Sequence, residues 1–481
     1  MSFGGLYISI SGIYANKRAL DTVSHNVANA NNPDYVRQSV IHGDRSPTIL
    51  GIQHNIGTGV DVQQIRQIRD EFLDLDYRRK LSTFGYYQAR SEVLEEMEYI
   101  FREIKIPDTL ISGALQDIMD DFWDGWSELY KDPESLTIRG VVHERAVALA
   151  TTANHIYTQL DNMQQGLNKE MLNKANEVNT LLADIHELNR TIKIQEAEGP
   201  HIKSNDLRDI REGKIDRLVE LVPVHYYENT HSEIVISLNG RSLVNGDYFN
   251  PIEIKMNKKG HGEIHYSDTG EKIELENKGE LAGYIHARDK EVVEYMDRLN
   301  ILVRTLAEEV NEIHEGGIGL DGSTGNKFFI FTDDNPAVTI VVNPELKDYN
   351  KIAVSQSGSK GDGEIIKEIL ALREKHLFDK YNSENPAEPL EIKSMDIDEF
   401  YRDLIMSLGL KREEARGIVY SQALQMKQID ERRQEISNVS MDEEMANMLK
   451  YQHSYIANSR VINAIDEMID TIVNRLGIVG R

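Results

Sequence analysis

The chain has 481 residues, of which 40% are apolar and 28% charged, and it contains no cysteine. This is the composition of a globular protein with about three domains, and it excludes disulfides, thiolate metal sites and cysteine nucleophiles. The net charge of −26 argues against nucleic-acid binding, because phosphate contacts need clustered Lys and Arg.

The first segment is predicted to be an amphipathic helix, because apolar residues recur in it at helical spacing. These residues are Leu6, Ile10, Ile13, Leu20, Val23 and Val27. Pro33 is expected to stop this helix, since proline disfavours helix in the preceding residue and has no amide donor. Residues 34–62 are predicted to be mixed and extended, with glycines at the turns.

Helical patterns dominate from about residue 65 to 221. Between residues 149 and 192, apolar side chains recur every three or four residues with two polar exceptions. This spacing predicts one long helix, which could be either a coiled-coil-like strand or an ordinary member of a bundle.

Residues 222–280 change to short alternating apolar and polar segments, which predict β-hairpins. Asn239–Gly240 and Asn245–Gly246 are typical hairpin turns. His261 and His265 lie in this segment, and residues four apart on a strand are separated by about 13 Å. They could not share one zinc ion, whose nitrogen ligands lie near 2 Å, so the sequence predicts no metal site.

A clean heptad of apolar residues between Val292 and Ile313 predicts another helix, which Gly316–Gly317 should end. The glycine-rich run 316–322 therefore follows a helix, whereas a dinucleotide-binding loop follows a strand and opens a helix. No P-loop or nucleophile elbow is present. We therefore predict no cofactor and no catalytic residues. A β-rich stretch at about 327–356 and further helices from about 361 should follow.

The last helix is predicted to start with a capping box formed by Ser440 and Glu443. One of its faces is apolar and includes Met445, Met448, Tyr455, Ile462, Ile469 and Leu476. An amphipathic helix at each end of the chain needs a partner for its apolar face. The two ends could pair with each other and with other subunits, or each could pack on its own domain.

Both ends of the chain resemble the flagellar rod, hook and hook-associated proteins. Residues 11–38 read SGIYANKRALDTVSHNVANANNPDYVRQ, close to the family pattern of Ser-Gly-Leu, Ala-Leu-Asp and Asn-Asn-Ile-Ala-Asn-Ala-Asn-Thr-Pro-Gly-Tyr. The motif positions are Asn26, Asn29, Pro33, Tyr35 and Arg37. Asp34 stands where the family has Gly, which adopts a positive φ more easily.

The C-terminal residues 436–476 resemble the matching end of the same superfamily. Three internal stretches, 57–73, 205–244 and 311–329, resemble the hook-associated proteins in particular. Rod proteins are far shorter, and hook subunits lack the 311–329 run. A hook subunit, or an exported enzyme carrying flagellar ends, therefore remains as an alternative of lower rank.

The resemblance implies a mainly α fold with β-rich insertions and a coiled coil of the N- and C-terminal amphipathic helices. We expect an axial terminal domain at 1–45 and 437–481, a helical outer domain at 46–221 and 281–436, and a β-rich hairpin region at 222–280. The terminal helices would form the axial assembly interface. Residues 1–69 and 426–481 have opposite net charges of two and are neutral together, which suits surfaces that pack against copies of themselves.

The resemblance also implies a location and partners. The protein would be cytoplasmic before type III export and then extracellular, at the junction between hook and filament. It would form a helical ring of its own copies, contact the hook protein and a second junction protein, and meet flagellin only indirectly. An export chaperone would bind the C-terminal helix. Neither nucleic acid nor a membrane is expected as a partner.

Overall fold

The computed structural model describes residues 4–32, 35–46, 48–50, 54–102, 115–197, 199, 203–379 and 393–475. The fold is mainly helical with small antiparallel sheets, as the sequence predicts. The helices are α1 (Gly4–Ala28), α2 (Glu71–Arg102), α3 (Leu115–Lys131), α4 (Leu136–Glu196), α5 (Asn205–Leu221), α6 (Glu280–His286), α7 (Val292–Glu315), α8 (Pro336–Thr339), α9 (Glu364–Ala371), α10 (Ile397–Ser437) and α11 (Met441–Asp470). The strands are β1 (Gln38–Asp44), β2 (Thr48–Leu50), β3 (His54–Ile56), β4 (Val60–Gln67), β5 (His225–Glu228), β6 (Ile234–Leu238), β7 (Arg241–Asn245), β8 (Tyr248–Phe249), β9 (Ile252–Met256), β10 (Gly262–Tyr266), β11 (Phe329–Ile330), β12 (Val341–Val342), β13 (Phe378–Asp379) and β14 (Lys393–Met395).

The chain forms two compact units. Unit 1 comprises Met1–Gly85, Lys174–Gly279 and Ser421–Arg481, and unit 2 comprises Tyr86–Asn173 and Glu280–Tyr420. Both ends of the chain therefore belong to unit 1. The division into three domains that we expect from the sequence stays a prediction.

The sheets of unit 1 are antiparallel. Strand β1 pairs with β4, β9 pairs with β10, and β5 to β8 form a four-stranded sheet in sequential order. The predicted turn between β6 and β7 is present: Asn239 has a φ of 47° and Gly240 a φ of 79°. Two successive positive φ angles are those of a type I′ turn, whose twist matches that of the flanking strands.

Unit 2 is built around an aromatic cluster. Trp126 and Phe122 of α3 lie against Phe328, with ring centroids 5.4 Å and 6.4 Å apart, and Phe329 stacks edge-on against Phe328 at 4.9 Å. All four side chains are fully buried. The predicted heptad helix is confirmed as α7, which ends at Glu315, directly before Gly316.

The stretch predicted to be β-rich at 327–356 contains only two two-residue strands, β11 and β12, and otherwise consists of turns and short helical pieces. The reason lies in a side chain of α7. The Asn311 amide oxygen accepts hydrogen bonds from the backbone amides of Phe328 and Phe329, both at 2.8 Å, and its nitrogen donates to the Phe329 carbonyl at 2.9 Å. A helix side chain thus takes bonds that a strand partner would otherwise make.

His314 fixes the same run to α7. Its side chain is fully buried; Nδ1 lies 2.7 Å from the Asn326 carbonyl oxygen, and Nε2 accepts the Ala353 amide at 2.9 Å. Since Nε2 is an acceptor, the ring is neutral. Burial lowers the pKa of His314 to about 4, and burial lowers the pKa of His286, also in unit 2, to about 4.

We expect unit 2 to lose stability in mild acid. A histidine whose pKa is about 6.5 when unfolded and about 4 when folded contributes stability that is complete above pH 6.5 and lost as the pH falls towards 4. For His314 the full loss is about 3 kcal/mol. Urea unfolding monitored by the fluorescence of Trp123 and Trp126, which are buried in unit 2, should show about 2 kcal/mol of this loss between pH 7 and pH 5.

The variant His314→Gln is the control, because glutamine offers one donor and one acceptor but does not titrate in this range. Its loss of stability between pH 7 and pH 5 should be clearly smaller than that of the wild type. An equal loss in both proteins would exclude His314 as the group responsible.

Candidate assembly site

Helices α1 and α11 pack against each other in antiparallel orientation. Three contacts fix this arrangement. A Cβ on Gly5 would lie 3.4 Å from Ile465 Cδ1, a Cβ on Gly12 would lie 2.8 Å from Asn458 Nδ2, and the Asn26 side chain bonds to Glu444. The pairing of the chain ends that the sequence left open is therefore present within one subunit.

The residues that make these contacts recur at multiples of seven positions on both helices. On α1, Gly5, Gly12 and Asn26 belong to a seven-residue series with the buried Ala19; on α11, Glu444, Asn458 and Ile465 belong to one with Tyr451. The α1 series is small except for Asn26, so the two backbones approach closely. The antiparallel pair β1–β4 also contacts α1, where Ser11 Oγ accepts the amide of Val60 at 3.1 Å.

At the end of α1, Asn26 uses its whole hydrogen-bonding capacity. Its Nδ2 donates to the Gln38 carbonyl at 2.9 Å and to Glu444 Oε2 at 3.0 Å. Its Oδ1 accepts from the Tyr35 hydroxyl at 2.7 Å and from the Gln38 amide at 3.0 Å. The side chain is 1% exposed, and a buried amide must be satisfied in this way to be tolerated.

Arg37 completes the connection to α11. Its Nε donates to Glu444 Oε1 and its Nη1 to Glu443 Oε2, both at 2.8 Å, while its backbone amide donates to the Ser437 carbonyl at 2.9 Å. Burial alone would lower the pKa of Arg37, but the hydrogen bonds to the two glutamates raise it. We call Asn26, Tyr35, Arg37 and Glu444 the terminal clasp.

The capping box is confirmed in one half. Ser440 Oγ accepts the amide of Glu443 at 3.5 Å. The carboxylate of Glu443, which was expected to return to Ser440, is engaged by Arg37. The start of α11 at Met441 agrees with the prediction.

Helix α5 contacts the residues on either side of Arg37 in the clasp segment. Asp209 Oδ2 accepts the Val36 amide at 3.3 Å, and Gln38 Nε2 donates to Asp206 Oδ1 at 2.9 Å. Burial, with Asp206 and Glu212 nearby, raises the pKa of Asp209 to about 7. Burial and the nearby carboxylates also raise the pKa of Tyr35, so its hydroxyl stays protonated and donates to Asn26.

The motif residues predicted from the sequence come together in the structure. Pro33 lies outside the described residues. Asn26, Tyr35 and Arg37 form the clasp. Asn29 lies next to it, where its Nδ2 donates to the His25 carbonyl at 3.0 Å just beyond the end of α1.

The predicted axial residues divide into three groups. Val23 is buried. Leu6, Ile10, Ile13, Leu20, Val27, Met448, Ile462 and Ile469 are half-buried. Met445 and Tyr455 are exposed, and Leu476 lies outside the described residues. Their role as an axial interface stays a prediction.

The sequence reasoning missed the residues that bring the helices together. It followed large apolar side chains, whereas the close contacts involve Gly5, Gly12 and the polar Asn458 and Glu444. A seven-residue repeat of small residues ending in an asparagine was the available signal.

Exposed apolar side chains remain on the terminal pair. Eight of them, which together we call the terminal apolar surface, are Tyr7, Tyr14, Met445, Leu449, Tyr455, Ile456, Val461 and Met468. Exposed apolar side chains concentrated on one pair of helices indicate an interaction surface rather than ordinary surface variation.

The described residues contain neither a candidate metal site nor a candidate membrane span. No group of three or more His, Asp or Glu side chains there is placed to hold a metal ion. None of the helices in that part of the chain has the length and apolar character needed to cross a membrane.

Comparisons with known proteins agree with the resemblance seen in the sequence. Residues 108–329 match the family model "Flagellar hook-associated protein FlgK helical domain", and residues 431–476 match "Flagellar basal body rod FlgEFG protein C-terminal". "Flagellar hook-associated protein 1" of Bacillus subtilis (strain 168) is 29% identical, with 100% of this chain and 99% of that protein aligned. The protein of the same name from Salmonella typhimurium is 21% identical over 97% of this chain and 98% of its own.

A solved structure, that of the flagellar hook junction protein FlgK from Burkholderia pseudomallei, is 17% identical with a TM-score of 0.45, covering 55% of this chain and 47% of that one. The resemblance to the hook-associated proteins is confirmed by the family models and the full-length relatives. They do not favour a hook subunit.

Proposed function

We infer from these matches that the chain belongs to the flagellar hook-associated proteins, and we propose that it is the structural subunit that joins the hook to the filament. Two features support this proposal. Relatives named "Flagellar hook-associated protein 1" align over 97–100% of the chain. Residues 431–476, which include the C-terminal helix, match the family model "Flagellar basal body rod FlgEFG protein C-terminal". A flagellar, exported location follows from the same relatives.

The observation that carries the assembly role is the terminal apolar surface. Tyr7 and Tyr14 of α1 are 66% and 68% exposed, and Met445 and Leu449 of α11 are about half exposed. Burial of apolar surface is the main driving force of protein association. We propose that neighbouring copies cover these side chains in a ring around the flagellar axis.

The finer partners are part of this proposal. The ring would contact the hook protein on one side and a second junction protein on the other, with flagellin beyond it. Before export, a chaperone would cover the C-terminal helix, whose apolar residues would otherwise be exposed in the cytoplasm. The work of the protein would be structural, with no reaction catalysed.

Deletion of the gene should give cells with hooks but no filaments, and flagellin should be found in the medium. The reason is that export would continue while the filament has no junction to grow on. Electron microscopy of the cells and immunoblotting of the medium would measure this, with the wild-type gene restored on a plasmid as the control. Normal filaments on the deletion strain would contradict the proposal.

A further inference from the structure

We propose that the terminal clasp sets the register between α1 and α11, so that Asn26 and Glu444 are positioning residues for the pair. The seven-residue series on the two helices gives two contacts at glycines of α1, Gly5 with Ile465 and Gly12 with Asn458, and one contact that is polar and buried, Asn26 with Glu444. The glycine contacts can be exchanged with each other, and the polar contact cannot.

The small residues alone leave the register ambiguous. If α11 moved by one heptad, about 10.5 Å along the axis, Gly5 would face Asn458 in place of Ile465. Gly12 would then face Tyr451. After the slip, Gly5, Gly12 and Ala19 would each still face a larger side chain of α11. Packing of small against large residues therefore discriminates poorly between these registers.

The clasp discriminates strongly. After a slip in that direction Glu444 would face Ala19, and its carboxylate would lose Arg37 and Asn26. After a slip in the opposite direction Asn26 would face Tyr451 and lose the carboxylate. A buried charge without its partners is strongly disfavoured, and fixing a helix register is the best-established use of buried polar groups.

The consequence for assembly rests on the proposed function. The terminal apolar surface has members on both helices, so a slip would move the α11 members by about 10.5 Å relative to those of α1. Identical copies in a ring need one register in every subunit. The clasp would thus make the subunits equivalent before they meet.

Disulfide cross-linking of the purified full-length protein tests the register directly, because the chain has no native cysteine. The pair Gly5→Cys and Ile465→Cys reports the observed register. The pairs Gly12→Cys with Ile465→Cys and Gly5→Cys with Asn458→Cys report slips in the two directions. In the observed register the slipped pairs are offset by about 10.5 Å, beyond the reach of a disulfide of about 7 Å.

With the clasp intact, only the first pair should cross-link. In the background Asn26→Leu with Glu444→Leu, at least one slipped pair should cross-link on the order of tenfold more than with the clasp intact. The matched background, Asn26 retained with Glu443→Leu, should behave like the wild type. The fluorescence of the two buried tryptophans of unit 2 shows in each case that the protein has folded.

Two results would overturn the proposal. If the slipped pairs stay unlinked in the leucine background while the first pair links fully, the register does not depend on the clasp. If no pair links there, the clasp holds the helices together but does not choose between registers. Neither result bears on the junction role, because the purified protein is tested without a flagellum.

Discussion

Replacement of Glu444 by alanine is expected to weaken the pairing of the terminal helices by about 3–5 kcal/mol, the usual cost of removing one partner of a buried ion pair. Glu444 has a side chain 2% exposed, and Arg37, which it binds, is 14% exposed. The loss should appear locally. Hydrogen exchange of the amides in α1 and α11 should become roughly 10² to 5 × 10³ times faster, while α3 and α7 of unit 2 should exchange as before.

Glu443 provides the matched control, because it is the neighbouring glutamate and also binds Arg37. Its side chain is 58% exposed, and exposed ion pairs contribute less than about 1 kcal/mol. Glu443→Ala should therefore leave exchange in α1 and α11 nearly unchanged. Similar acceleration by both variants would mean that burial of Glu444 is not what stabilises the pair.

The substitution Tyr455→Asp is expected to abolish joining of hook and filament. Tyr455 is 38% exposed and belongs to the terminal apolar surface. If a neighbouring copy covers it, the variant loses about 1–2 kcal/mol of apolar burial at each contact. It also places an unpaired carboxylate there, at a further cost of several kcal/mol. Every copy in a ring would carry the same defect.

Purified variant protein should be added from outside to filament-less hooks of a deletion strain, so that export does not affect the result. Binding to the hook tips can be measured by immunogold labelling. Gln452→Asp is the control, since Gln452 is an exposed polar residue of the same helix, and it should bind as the wild type does. Wild-type binding by Tyr455→Asp would remove this surface from the proposed axial interface.

The helices were predictable where local signals mark them. The apolar repeat between residues 149 and 192 lies inside α4, which extends further at both ends, from Leu136 to Glu196. As predicted, α7 ends directly before the Gly316–Gly317 pair, and Ser440 directly precedes α11. In each case the information lies within a few residues of the boundary, through capping, proline and glycine effects.

Of the residues in the terminal clasp, only those near the start of the chain were predictable from the sequence. The resemblance singled out Asn26, Tyr35 and Arg37, but nothing local shows that they bind Glu444, which lies 418 positions from Asn26. Periodicity also favours large apolar side chains, so it singled out Leu6 and Ile10 on α1 and passed over Gly5 and Gly12, which lie against Ile465 and Asn458 of α11.

The separation of 418 residues between Asn26 and Glu444 has a consequence for biosynthesis. A ribosome adds about 5–20 residues per second, so α1 leaves it roughly 20 to 80 seconds before its partner helix is made. During that time α1 cannot find α11, and a single helix without tertiary contacts is only marginally stable in water. The nascent chain therefore cannot pair α1 with α11 until about 418 further residues have been added.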